Sequence, residues 1–129
     1  MTQEEQDDID FQIAFYEGII RRRADFVQGL IALGDLYTKK GLYEKGLQID
    51  KKLSQLKPDD PVVLYNLACS YSLLNKIDLA LGAIKLAIQC GYDNLSHLEQ
   101  DRDLENLLKD SRFQKYFTEL KEEKPGSWR

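Results

Sequence analysis

Histidine, cysteine and paired carboxylates are the residue types that most often move protons, attack carbon or hold metals, and this chain offers few of them. His97 is its one histidine, so no His/Cys or Ser/His/Asp constellation can be built around a pair. It lies inside Ser96 to Glu99, which reads as a capping box, so a helix-start role packed on its neighbours is expected. Asp101 and Asp103 begin as a calcium loop does, D-x-D. That loop needs Gly at its sixth place and Glu at its twelfth, where this chain has Asn106 and Arg112. Helix capping accounts for both aspartates. Cys69 falls within one expected helix and Cys90 at the end of another, in no metal or redox spacing, so structural thiols are expected. Arg21, Arg22 and Arg23 could attract phosphate, but a basic triplet without interleaved aromatics reads as a solvated last helical turn. There is no glycine-rich phosphate loop. The expectation is no enzyme, no cofactor and no metal, with an enzyme using His97, Asp101 and Asp103 as the remaining catalytic reading.

The elements that would position these residues are helices. Leu30, Leu33, Gly34 and Tyr37 stand at i, i+3, i+4 and i+7, and Leu64, Leu67, Ala68 and Tyr71 repeat that spacing 34 residues later. Upstream, Thr2 with Glu5 forms a capping box for a helix that starts acidic and ends at Arg21 to Arg23, as the helix dipole favours. Its apolar stripe is Ile9, Ile13, Tyr16 and Ile20. Asp25 or a neighbour starts the next helix, which runs to about Lys39 and breaks at Gly41. Its partner runs from about Tyr43 to Leu56. Asp60 as N-cap with Pro61 behind it opens a third helix of the series, ending near Leu74. Asn75 makes the turn, and Ile77 to Cys90 forms a helix stopped by Gly91.

After Gly91 the 34-residue spacing fails. Ser96 to Glu99 and Ser111 to Gln114 are two capping-box patterns, which imply a short helix and a longer one, with a helical turn or two between them over Asp101 to Leu108. Leu104, Leu107, Leu108, Phe113, Phe117 and Leu120 are expected to cover the apolar end of the preceding helices. From Glu122 onward charge, Pro125 and Gly126 suggest a frayed tail, in which Trp128 is the one residue without an explanation.

The period of 34, with a large-x-x-Leu-small-x-x-Tyr front, resembles the tetratricopeptide repeat, a helix-turn-helix unit that stacks into a solenoid. With Val27 and Pro61 as first positions, Gly46 and Ala80 fall on the small position of the second helix, Leu53 and Ala87 on its later apolar position, and Pro58 closes the first repeat. Leu30 and Leu64 stand in place of the family's tryptophan, Asp50 in place of an aromatic and Tyr92 in place of the second proline. The segment from Gly91 to Phe117 resembles the terminal unit that closes many bacterial domains of this kind. The resemblance implies an all-α, right-handed α-solenoid of antiparallel helix pairs in one domain over 1–122. It divides into a half repeat at about 4–24, repeats at 27–60 and 61–94, a closing helical unit at 95–122 and a flexible tail at 123–129.

In the resembling family the first helix of each repeat lines a concave groove. Carried onto this chain, the groove positions are Gln28, Ile31, Ala32, Asp35, Thr38 and Lys39, then Val62, Tyr65, Asn66, Cys69, Ser72 and Leu73. The mixture of apolar anchors and polar groups suits a peptide or protein segment. Tyr65, as an exposed aromatic in a concavity, is the expected anchor; the alternative is that it packs on its neighbours. One subgroup of the family grips the C-terminal carboxylate of heat-shock chaperones with lysine, arginine and asparagine. Ile31, Asp35, Ser96 and Gln100 replace those residues and only Asn66 matches, so no such clamp is expected.

Bulk properties agree with an interaction module. The 129 residues are 43% hydrophobic and 31% charged, as in a soluble globular protein. A formal charge of −4 argues against nucleic acid or an anionic membrane as partner. No apolar run approaches the roughly 20 residues that cross a bilayer, the acidic start has no signal-peptide core, and the cysteines fit a reduced, cytoplasmic setting. The reading is a noncatalytic scaffold for a protein or peptide ligand. A self-assembling module, a homo-oligomer, is the alternative, because Phe11 and Phe15 lie off the apolar stripe of the first helix.

Overall fold

The computed structural model describes residues 1–123, and every described regular element is helical. The chain divides into two compact units, Met1–Pro58 and Asp59–Arg129. The boundary lies beside Pro61, the residue expected to open the second repeat.

The first unit contains α1 (Gln3–Arg22), α2 (Val27–Lys40) and α3 (Tyr43–Leu56), with α1 packed on α2 and α2 on α3. Thr2 caps α1 reciprocally: Glu5 N donates to Thr2 Oγ1 at 3.1 Å, and that hydroxyl donates to Glu5 Oε1 at 3.1 Å. Ile13, Leu33, Leu36 and Tyr37 form the core, with Ile9, Tyr16, Ile20 and Ile49 against it. The expected α1 stripe is therefore the one that packs. Tyr37 also donates its hydroxyl to Glu17 on α1, and burial followed by that carboxylate raises the phenol's pKa. Lys40 adds a second tie to α1, with Nζ 2.9 Å from Gln6 Oε1 and 2.7 Å from Asp10 Oδ1.

Glycine at two positions sets how closely α2 and α3 approach. A Cβ on Gly46 would lie 3.3 Å from Thr38 Oγ1, and one on Gly34 would lie 3.2 Å from Ile49 Cγ2 and 3.3 Å from Asp50 Oδ1. Asp50 is itself buried, so the interior of this pair is less apolar than usual, as its sequence position implied. Gly41, at φ 82, closes α2 in the left-handed region that its missing Cβ makes accessible. The expected start of α2 at Asp25 or a neighbour falls on Phe26, the N-cap, which contributes no side-chain bond, so packing rather than a side-chain cap begins this helix.

The second unit holds α4 (Pro61–Leu73), α5 (Ile77–Gln89), α6 (Leu95–Gln100), a 3-10 turn (Arg102–Leu104), α7 (Glu105–Leu108) and α8 (Ser111–Glu123). Asp60 Oδ1 accepts from Val62 N at 2.9 Å and Val63 N at 3.2 Å, with Pro61 in the first turn, so the predicted start signal operates. Ala68 and Ala80 have no exposed surface, which permits the close pairing of α4 with α5. Leu104, Leu107, Phe113, Phe117 and Leu120 are buried and Leu108 is half-buried, as expected of a closing unit. The tail with Trp128 lies outside the described residues.

Two caps differ from expectation. Asn94, not Ser96, caps α6, accepting from His97 N at 3.2 Å. Asp110, not Ser111, accepts from Arg112 N at 2.9 Å and Phe113 N at 3.2 Å. In both places the stronger or equal capper stands upstream and takes the first amides, leaving the serine inside the helix.

The 34-residue period is written in the backbone as well as in side chains. α2 and α4 begin at 27 and 61, and α3 and α5 at 43 and 77. Leu30 N donates to Phe26 O as Leu64 N does to Asp60 O, and Leu42 N to Tyr37 O as Lys76 N does to Tyr71 O. Gly46 N likewise bonds Leu42 O, as Ala80 N bonds Lys76 O. Tyr37 and Tyr71 are both buried at the same station of their helices.

Candidate partner-binding faces

The residues expected to meet a partner fall into two groups, one on α2 in the first unit and one on α4 in the second. On α2, Gln28, Ile31, Asp35 and Lys39 follow one another at helical spacing and all four are exposed. Ile31 is 46% exposed, a large apolar side chain left open to water. Asp35 and Lys39 pair across one turn at 3.0 Å with both side chains well exposed, so the pair contributes little stability and either member can exchange it for another partner. Thr38 is half-buried, its hydroxyl close to Gly46 of α3 and donating back to Gly34 O at 3.1 Å, and Ala32 is half-buried too.

On α4 the expected set splits. Val62 is 58% exposed and Asn66 is exposed. Tyr65, Cys69 and Ser72 are buried, at 5%, 8% and 0% exposure. The expectation that Tyr65 stands open as an anchor is corrected: the chain's own segment from Tyr92 to Leu107 covers it. The Tyr65 ring stacks on Tyr92 with centroids 4.3 Å apart, and the His97 ring lies 5.9 Å away. Its hydroxyl donates to Asp101 Oδ2 at 2.6 Å. Ser72 is taken as well, its hydroxyl accepting from Leu107 N at 3.1 Å and its carbonyl from Asn106 Nδ2 at 2.9 Å.

Asp101 organises this closure. Its Oδ2 accepts the Tyr65 hydroxyl, lies 3.3 Å from His97 Nε2 and accepts the Cys69 thiol at 3.9 Å; its Oδ1 accepts Asp103 N at 3.0 Å as cap of the 3-10 turn. Those four contacts occupy about the number of lone-pair sites a carboxylate has. The group therefore ties α4 to α6 and to the 3-10 turn. Burial first, then the bond to Asp101, raises the pKa of Tyr65, and burial raises that of Tyr92. In the sequence His97 and Asp101 read as helix-start residues or as parts of a catalytic set; the meeting of Asp101 with Tyr65 across 36 residues carries no periodic signal.

The two helices can be compared residue by residue because they share a register. Ile31, Asp35 and Thr38 on α2 correspond, one period on, to Tyr65, Cys69 and Ser72 on α4. The face that the closing segment fills on α4 is thus open on α2 at Ile31 and Asp35. No helix among the described residues is long and apolar enough to cross a membrane.

No family model matches the chain. It is similar to an Arabidopsis thaliana protein whose name describes it as chloroplastic, with 33% identity over 96 residues that make up 72% of this chain and 27% of that relative. The chain thus spans about a quarter of the relative's length.

Proposed function

We propose that the chain is a noncatalytic protein-interaction module of the tetratricopeptide-repeat kind, a right-handed α-solenoid that takes a protein or peptide segment on the exposed face of α2. One observation carries this reading: the corresponding face of α4 is already occupied by a segment of the chain itself, which docks through an aromatic stack, a carboxylate and a backbone amide. A helix face that receives an internal segment in one unit has the chemistry to receive an external one in the other. Ile31 supplies the apolar anchor, Asp35 an acceptor for a basic or hydroxyl group, and Gln28 and Lys39 the polar rim. Val62 and Asn66 offer a smaller exposed pair on α4. Asp35 opposes a carboxylate, so an acidic C-terminal peptide is the wrong ligand.

The charge of −4 speaks against nucleic acid and anionic membrane as partners. Cys69 and Cys90 form no disulfide, which suits a reducing compartment such as the cytoplasm; the location in the relative's name adds the chloroplast to that choice.

The test is selection of peptides from a random display library on the purified chain, followed by titration of the enriched sequences. Enriched peptides are expected to join an apolar residue to a basic one, with Ile31→Glu weakening binding about tenfold or more, as removal of a central anchor does. Tyr65→Phe should leave binding unchanged. Absence of enrichment, or binding indifferent to Ile31→Glu and Asp35→Lys, overturns the reading.

A further inference from the structure

The α1 helix has a second apolar face that its packing on α2 does not use. Ile9, Ile13, Tyr16 and Ile20 face the core, while Phe11, 71% exposed, and Phe15, 56% exposed, lie on the opposite side. Glu4, Asp8, Phe11, Phe15, Gly18 and Arg22 follow one another at alternating spacings of four and three, the spacing of a helix–helix seam. Ala14 and Gly18 are small and lie beside the phenylalanines, and a Cβ on Gly18 would meet nothing closer than an Arg21 guanidinium nitrogen at 3.8 Å, so another backbone can come near.

The ends of this seam carry opposite charge. Glu4, Asp7 and Asp8 are exposed at the start, Arg21 and Arg22 at the finish, and neither arginine makes an ion pair among the described residues. The polarity is that of the helix dipole, but it also makes the face complementary to itself when inverted.

We propose that α1 pairs antiparallel with α1 of a second copy of this chain, placing Phe11 against the partner's Phe15 and Glu4 against the partner's Arg22, with Asp7 within reach of the partner's Arg21 beside the seam. In that one register two aromatic layers fill the middle, the small Gly18 receives the partner's Asp8, and the acids Glu4 and Asp7 come to the partner's arginines. A parallel pairing sets arginine on arginine and acid on acid. The seam is one helix of about 30 Å, which buries less than the roughly 1,200 Å² of a standard interface. The dimer is accordingly weak, with a dissociation constant on the order of 10–100 µM. The two-fold symmetry closes the assembly at two copies. This pairing stands apart from the α2 face and does not depend on it.

Sedimentation equilibrium of the full chain tests it, with circular dichroism to confirm that each variant folds. Wild type is expected to show a monomer–dimer equilibrium that weakens in high salt. Phe11→Ser with Phe15→Ser, both at exposed positions, should raise the dissociation constant about tenfold or more. Arg21→Glu with Arg22→Glu should weaken self-association, Glu4→Arg with Asp7→Arg should do the same, and an equimolar mixture of the two variants should recover a dimer. Wild type that stays monomeric to about 1 mM, far above the expected constant, overturns the proposal. So does a dimer that survives the phenylalanine substitutions, that the arginine reversal leaves unchanged or tightens, or that mixing fails to recover.

Discussion

Replacing Tyr65 in two steps separates the bond that closes the second unit from the ring that fills it. Tyr65→Phe removes only the hydroxyl that donates to Asp101 at 2.6 Å and leaves the stack on Tyr92 in place. A hydrogen bond to a charged acceptor contributes about 1.5–3 kcal/mol. Asp101 keeps His97, Cys69 and the Asp103 amide, and its side chain is 15% exposed, so the freed lone pair is not stranded. The lower end of that range, about 1.5 kcal/mol, is expected. Tyr65→Ala removes the ring as well, and truncation of a buried aromatic costs about 3–5 kcal/mol, so the ring outweighs the hydroxyl. With a urea dependence of about 1.5 kcal/mol per molar, the phenylalanine variant should lose about 1 M in its midpoint.

Alkaline pH gives an independent reading of the same bond. Tyr65 is held protonated in the folded chain, by burial and then by the Asp101 carboxylate, whereas in the unfolded chain it ionises near pH ~10. A group whose folded pKa is raised contributes its full stability below the unfolded value and loses it as pH climbs beyond. Wild type should therefore weaken steeply above pH ~10, by up to about 1.4 kcal/mol per pH unit for this group. Tyr65→Phe should fall less steeply, with Tyr92, also raised by burial, accounting for part of what remains. Equal urea midpoints and equal alkaline slopes for wild type and Tyr65→Phe would refute the reasoning.

Other substitutions probe the helix pairs and their ends. Ala68→Leu, at a position with no exposed surface, should destabilise by about 1–3 kcal/mol in chemical denaturation through overpacking of α4. Asp60→Ala removes the acceptor for Val62 N and Val63 N and should cost about 1 kcal/mol by the same assay. Gly41→Ala forces a side chain into φ 82 and should lower the thermal midpoint, at a cost of about 1–2 kcal/mol. Asp110 has its pKa lowered, chiefly by its bond to the Arg112 guanidinium, so its contribution is present above the unfolded value near ~3.9 and fades as pH falls through the folded one. Asp110→Asn should flatten that acid limb in a pH series of thermal melts.

Local signals were legible where the residue itself supplies the physics. Asp60 with Pro61, Thr2 with Glu5, and the left-handed Gly41, Asn75 and Gly91 each encode a helix end by what their own atoms can do. The pairing of helices was legible through the resemblance, and the small residues Gly34, Gly46, Ala68 and Ala80 are buried. Single-residue cap choices were less legible, since Asn94 competes with Ser96 and Asp110 with Ser111 for the same amides. Tyr65 was misread as an exposed anchor for a different reason. Its period places it on the same face as Ile31, and only the non-repeating segment that brings Asp101 to it decides that the face is closed. The exposed stripe of α2 was readable in advance, as was the surplus of aromatics on α1.

Amide chemical shifts followed while a display-selected peptide is titrated into labelled chain test most directly whether partner binding is confined to the face that α2 leaves open. The account predicts the largest shifts at Gln28, Ile31, Asp35 and Lys39, with Tyr65, Cys69 and Ser72 unmoved beneath their cover. Shifts centred on Tyr65 and Ser72, with α2 silent, would contradict it.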